Sequence, residues 1–225
     1  MKLLLWDIDG TLVNVRRLGA RAMNEALHEL YGREAGIPAR SMAGKTDLQI
    51  LGEFLGANAI PFSSLKSEGE KVIPLYETRL GKYLADDPGP FVYPNAEALL
   101  ERYHRSSSAV NGLLTGNFMR TAKLKLEHFS LWKYFELGAY GETSDSRADL
   151  VPAALKEYEK KRGRKIAAGD VWVIGDTPND VAITKTHGLR SVAVASGGYS
   201  TGDLAACGPD ILLKDLTEFP VELFD

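Results

Sequence analysis

The sequence predicts an α/β fold: a doubly wound parallel sheet core carrying an inserted all-helical cap. Three observations carry that expectation. Short apolar runs alternate with segments of helical period along most of the 225 residues. One block, from about residue 17 to residue 85, holds no strand pattern. The apolar runs end in Asp, Thr or Gly, at the strand ends outside which open α/β sheets bind ligands.

The elements follow in order. Residues 3–8 (LLLWDI) read as a buried strand, as do 110–115 (VNGLLT), 171–174 (VWVI) and 190–195 (RSVAVA). A short last strand is expected at 211–213, and a weaker one at 137–140. Apolar runs of this length, bounded by turn residues, suit strands covered on both faces. Helical periodicity marks 95–104, with Asn95 placed to cap it, and also 118–129, 150–162 and 179–187. Strand and helix in alternation imply a Rossmann-like parallel sheet. Between the first strand and the rest, 17–31, 47–55 and 65–84 read as helices. The stretch 12–16 and the Asp86-Asp87-Pro88-Gly89-Pro90 segment flank this block as hinges. The division expected is a core of residues 1–14 and 90–225, with a helical cap of residues 15–89.

Composition narrows the function classes. The net charge is −3 and there is no basic tract of the kind that follows a nucleic-acid backbone, so no nucleic-acid partner is expected. No stretch approaches the ~18 apolar residues of a membrane span, so no membrane partner is expected. The apolar start is broken by Asp7 and Asp9 too early for a secretory signal. The single cysteine, Cys207, allows no internal disulfide and no Cys-rich zinc site, which fits a reducing cytoplasm. Nothing in the sequence marks a dedicated interface, and a monomer is expected.

The chemistry is concentrated at three strand ends. Asp7-Ile8-Asp9-Gly10-Thr11-Leu12 directly follows the first strand. Two carboxylates two residues apart would face opposite sides of a continuous strand. Where the chain turns at Gly10, both can face the crevice. Gly175-Asp176-Thr177-Pro178-Asn179-Asp180 follows another strand and leads into a helix. Acids at two strand ends suit a hard cation such as Mg²⁺, which is commonly held by one or two carboxylates plus substrate phosphate; Asp7 and Asp176 would supply that pair. Thr115-Gly116-Asn117 offers a hydroxyl and free N–H groups at a third strand end, a plain anion site. A cation to hold phosphate is expected at Arg147, with Lys123 as the alternative. In the helical block, Gly44 permits close backbone approach, and Lys45 and Thr46 are candidate substrate contacts. A helix cap at Thr46 and a solvated Lys45 are the structural alternative.

Taken in this order, the D-x-D-G-T-L opening, the Thr turn and the G-D-x-x-x-D element resemble the haloacid dehalogenase-like superfamily over nearly the whole chain. Within it, the sequence resembles the branch of phosphoglycolate phosphatases and β-phosphoglucomutases with a helical cap. The resemblance implies Asp7 as a nucleophile that becomes an aspartyl-phosphate and Asp9 as the general acid/base. It implies Thr115, with Gly116, Asn117, Gly10 and Arg147, as the phosphate cradle. Mg²⁺ would be held by Asp7, the Asp9 backbone carbonyl, Asp176 and Asp180. Most members carry Lys where this sequence offers Arg147. An acid at position 9 argues for phosphate esters and against haloacids, because a leaving alkoxide needs a proton and a leaving halide does not. The expected activity is hydrolysis of a small phosphorylated metabolite. A β-phosphoglucomutase-like phosphomutase is the alternative; a phosphonoacetaldehyde hydrolase-like enzyme using Lys45, or a silent binding protein, ranks below both.

Overall fold

The computed structural model describes residues 1–224. The strands are β1 (Lys2–Trp6), β2 (Val13–Asn14), β3 (Phe91–Val92), β4 (Ala109–Leu114), β5 (Leu137–Ala139), β6 (Val171–Gly175), β7 (Arg190–Val194) and β8 (Ile211–Leu213). The helices are α1 (Leu18–Tyr31), α2 (Ala39–Met42), α3 (Asp47–Ala57), α4 (Leu65–Asp86), α5 (Ala96–Arg105), α6 (Met119–His128), α7 (Leu150–Arg162), α8 (Pro178–His187) and α9 (Thr201–Ala206).

Among the described residues, six strands form one parallel sheet in the order β5-β4-β1-β6-β7-β8. The first strand lies inside the sheet because it is apolar on both faces. Leu3 and Leu5 join a cluster with Val110, Val173, Leu150 and Ile183, while Leu4 and Trp6 join a second with Leu99, Leu126 and Phe219. Each such side chain, fully buried, contributes about 2 kcal/mol of hydrophobic stabilisation. The polar Asn111 is tolerated within β4 because both ends of its amide are bonded. It accepts from Trp6 Nε1 at 3.0 Å and donates to the Leu100 carbonyl at 2.9 Å.

Register fixes the site. Trp6 pairs with Leu113 on one side and with Ile174 on the other. The residues that follow, around Asp7, Thr115 and Asp176, therefore emerge side by side at the C-terminal ends of three adjacent strands. The chain leaves β1 toward β4 on one side and reaches β6 on the other, so the ends of these strands open a crevice.

The strandless block is α1 to α4, with α1 and α4 packed together. The two hinge segments do more than link. Val13–Asn14 and Phe91–Val92 pair as a short antiparallel ribbon, Val13 opposite Val92. Their Pro- and Gly-rich surroundings hid this pairing from the sequence. The 4-residue helix Ala39–Met42 and the helix Thr201–Ala206 were also not expected. Asn95 differs from expectation as well: it adopts a left-handed conformation at φ 67° and makes no capping bond. Its side-chain amide donates to the Leu216 carbonyl at 2.8 Å, tying α5 to the C-terminal segment. No helix among the described residues is long and apolar enough to cross a membrane.

Candidate active site

A cavity of about 440 Å³ opens between the strand ends and the helical block. Asp7, Asp9, Gly10, Thr115, Gly116, Asn117, Lys125, Arg147 and Asp176 line it from the sheet side. The Asp7 backbone N–H still donates to the Ile174 carbonyl at 2.9 Å, so the carboxylate is carried on a rigid strand end. After it the chain turns at Gly10, whose φ is +86°. A side chain there would overlap the Asp176 carboxylate, and glycine alone lets β1 and β6 bring their acids together.

Two groups of charges result. In the first, Arg147 Nη2 lies 3.1 Å from Asp7 Oδ1 and 2.5 Å from Asp180 Oδ1. Asp180 Oδ2 also accepts from the Thr177 backbone N–H at 3.1 Å and its hydroxyl at 2.6 Å, in the capping box that starts α8. Asp176 accepts a long 3.4 Å bond from the Thr11 hydroxyl. All four side chains are buried. Burial pushes the Asp7 carboxyl up to about 6, against the pull of Arg147. It raises Asp176 well above the carboxylate range, reinforced by the charges of Asp7 and Asp180.

Oxygens of Asp7, Asp176 and Asp180 lie within 4.8 Å of one another. Ionised together, three buried carboxylates facing one guanidinium would carry an excess of two negative charges in low dielectric, which is why burial raises Asp7 and Asp176. A hard divalent cation on oxygen donors fits that excess.

The second group surrounds Asp9. Its Oδ2 accepts from Asn117 Nδ2 at 2.8 Å and from Lys125 Nζ at 2.6 Å. Lys125 also donates to Asn117 Oδ1 at 2.6 Å, and Asn117 Nδ2 reaches the Thr115 hydroxyl at 2.8 Å. The Asp9 side chain is 38 % exposed, toward the cavity, whereas Asp7 is nearly closed off. Lys125 was not anticipated. The alternative cation, Lys123, points outward and pairs with Glu127 at 3.6 Å.

The loop before α3 closes the cavity from above. The Asp47 backbone N–H donates to the Gly116 carbonyl at 2.7 Å, and the Asp47 carboxylate accepts from the Phe118 N–H at 2.8 Å. Burial pushes Asp47 up to about 7, opposed by Lys125. Asn179 Nδ2 donates to the Gly44 carbonyl at 2.8 Å. Lys45 lines the cavity but pairs with Glu53 at 2.6 Å. Thr46 is buried and caps α3 by accepting from the Gln49 N–H, so it does not reach the cavity.

Comparison with known proteins finds similar sequences and similar folds. The family of haloacid dehalogenase-like hydrolases matches residues 4–185. The phosphoglycolate phosphatase of Vibrio parahaemolyticus is 24 % identical over 224 residues, 97 % of this chain and 94 % of that protein. The phosphoglycolate phosphatase of Rhodospirillum rubrum is 29 % identical over 222 residues, 95 % of this chain and 87 % of that protein. Among solved structures, CbbY of Rhodobacter sphaeroides in complex with phosphate superposes with a TM-score of 0.74 at 18 % identity, covering 98 % of this chain and 96 % of that one. This last likeness concerns the fold.

Proposed function

The chain belongs to the haloacid dehalogenase-like hydrolase family, and from that premise we propose that it is a Mg²⁺-dependent phosphatase acting on a small phosphate monoester through an aspartyl-phosphate on Asp7. The observation that carries this reading is the pair Asp7 and Asp9 in opposite settings at one strand end. Asp7 is sealed beside Arg147, whereas Asp9 is half-open to the cavity and held by Lys125 and Asn117. The names of the relatives support a phosphate ester as substrate.

In this reading a carboxylate oxygen of Asp7 attacks phosphorus while the ester oxygen leaves. Asp9 gives that oxygen its proton. Water then attacks the phosphorus of the acyl-phosphate and gives its proton to Asp9, which releases inorganic phosphate and restores Asp7. Thr115, the backbone of Gly116 and Asn117, and Arg147 hold the phosphoryl oxygens. Arg147 clamps them with a planar, permanently charged fork, where a lysine would act as a point charge. Asp7, Asp176, Asp180 and the backbone carbonyl of Asp9 would hold Mg²⁺, which would screen the repulsion between Asp7 and the anionic substrate and offset developing charge. Residues 15–89 act as the cap over a core of 1–14 and 90–225, with the loop around Lys45 closing the cavity against water.

The test is phosphate release from a panel of phosphoglycolate, sugar phosphates, nucleotides and an aryl phosphate, with Mg²⁺ and then with EDTA. Metal-dependent release is expected, and Asp7→Asn should lose it by at least about a thousand-fold with the fold intact. Wild-type turnover in Asp7→Asn would overturn the mechanism, and no release from any ester would overturn the activity.

A further inference from the structure

The roof of the cavity carries a polar group, on a largely buried side chain, that the chemistry above leaves unused. Tyr76, on α4, is 3 % exposed; its ring belongs to the large apolar cluster and it lines the cavity. Its hydroxyl makes no hydrogen bond among the described residues. It lies 3.3 Å from the position that a Cβ on Gly19 would take, and Lys125 Nζ lies 3.6 Å from the same position. The two groups thus converge on the space left by the missing side chain of Gly19. Lys125 is already committed to Asp9 and Asn117; the Tyr76 O–H is not. Burial, with the charges of Asp47 and Asp9, holds the phenol well above its ordinary value, so it stays protonated and can donate to a ligand oxygen, hydroxyl oxygens included. The lining of the same cavity also includes apolar Val15, Met42 and Ile50.

With no protein acceptor, this O–H is left to water or to ligand in the cavity; a ligand oxygen that displaces the water satisfies the donor and a hydrocarbon leaves it unpaired. We propose that Tyr76 is a specificity-determining residue: its hydroxyl donates to an oxygen carried on the leaving group, beside Asp9, and selects esters of small oxygenated alcohols over esters of hydrocarbon alcohols. The inference rests on the phosphatase reading and deepens it.

A matched pair of esters tests it. 2-Hydroxyethyl phosphate and propyl phosphate differ by a hydroxyl against a methyl. The wild-type protein should favour the first in kcat/KM by about ten-fold or more, and Tyr76→Phe should reduce that preference to about two-fold or less. Equal preference in wild type and variant, or an equal loss on both esters, overturns the proposal. Tyr76→Phe keeps the ring in its cluster. Should it nevertheless fail to fold, Gly19→Ala fills the space in front of the hydroxyl and should erode the same preference; an unchanged preference there also overturns the proposal. If the wild-type protein with Mg²⁺ hydrolyses no ester at all, the phosphatase reading fails and the inference falls with it. Hydrolysis without discrimination overturns the inference alone.

Discussion

Lys125 shows how one side chain can join the hydrogen bonds of a site and still be hard to read. Its ammonium is the shared donor for Asp9 Oδ2 and Asn117 Oδ1, both at 2.6 Å, in a position that is only 3 % exposed. Replacing it with Met keeps the length of the stem and removes the charge. Asp9 then loses its orienting partner, and Asn117 is free to turn. For Lys125→Met we expect kcat to fall about a hundred-fold, ~2.7 kcal/mol of transition-state stabilisation. Arginine should not rescue it, because a planar fork does not fit where a point charge sits. Steady-state kinetics on an aryl phosphate measures this, and a kcat within two-fold of wild type would remove Lys125 from the reaction. The motif residues were legible because each follows directly on a strand: Asp7 and Asp9, Thr115, Asp176. Lys125 lies eight residues beyond Asn117, outside any local pattern. The helical period did hold a signal. Thr121, Ala122, Lys125 and Leu126 are the buried positions of α6, and Lys123 falls on the opposite face.

At the scale of elements, the strands and core helices could be read because burial on both faces leaves continuous apolar runs. What escaped were elements held by partners distant in sequence. The β2–β3 ribbon pairs residues nearly eighty positions apart, and no periodicity shows in two residues. The helix at Thr201–Ala206 did carry a local mark, the Ser200 and Asp203 capping box. The docking of the α3 entry loop onto the Thr115–Asn117 turn was likewise invisible, although Gly116 marks it. A Cβ at Gly116 would overlap the Lys45 carbonyl oxygen, a backbone atom that cannot swing aside. Gly116→Ala should therefore lift residues 43–47 while the sheet beneath stays intact. The Asp47 N–H, which donates to the Gly116 carbonyl, should then exchange its hydrogen faster, and kcat/KM should fall at least about ten-fold. Unchanged exchange at Asp47 would mean that the loop tolerates the methyl group and that its seat on the turn is not the closing contact.

The molecule as a whole stores an electrostatic cost at the site, and that cost can be measured without any substrate. Asp7 moves from an ordinary 3.8 to about 6 on folding, and Asp176 moves in the same direction. A raised carboxyl holds its proton in the folded state at pH values where the unfolded chain has released it. Its contribution to stability is complete below about pH 4 and is lost as pH rises through about 6. The metal-free protein should therefore lose stability over that window. Mg²⁺ at the proposed site would need the ionised carboxylates, so its binding would expel these protons and grow tighter in the same window. At about a hundred times its Kd the ion adds ~2.7 kcal/mol to the folded state. For a chain of 225 residues that corresponds to a rise in Tm of about 5–10 °C. Thermal unfolding with Mg²⁺ and with EDTA should show this rise near pH 8 and only a small one near pH 5. Asp176→Asn should remove most of it, because the variant loses both a ligand and the charge that the ion offsets. An equal rise at both pH values would mean that the ion binds elsewhere, at groups already ionised, and that the buried acids at the strand ends are balanced by Arg147 alone.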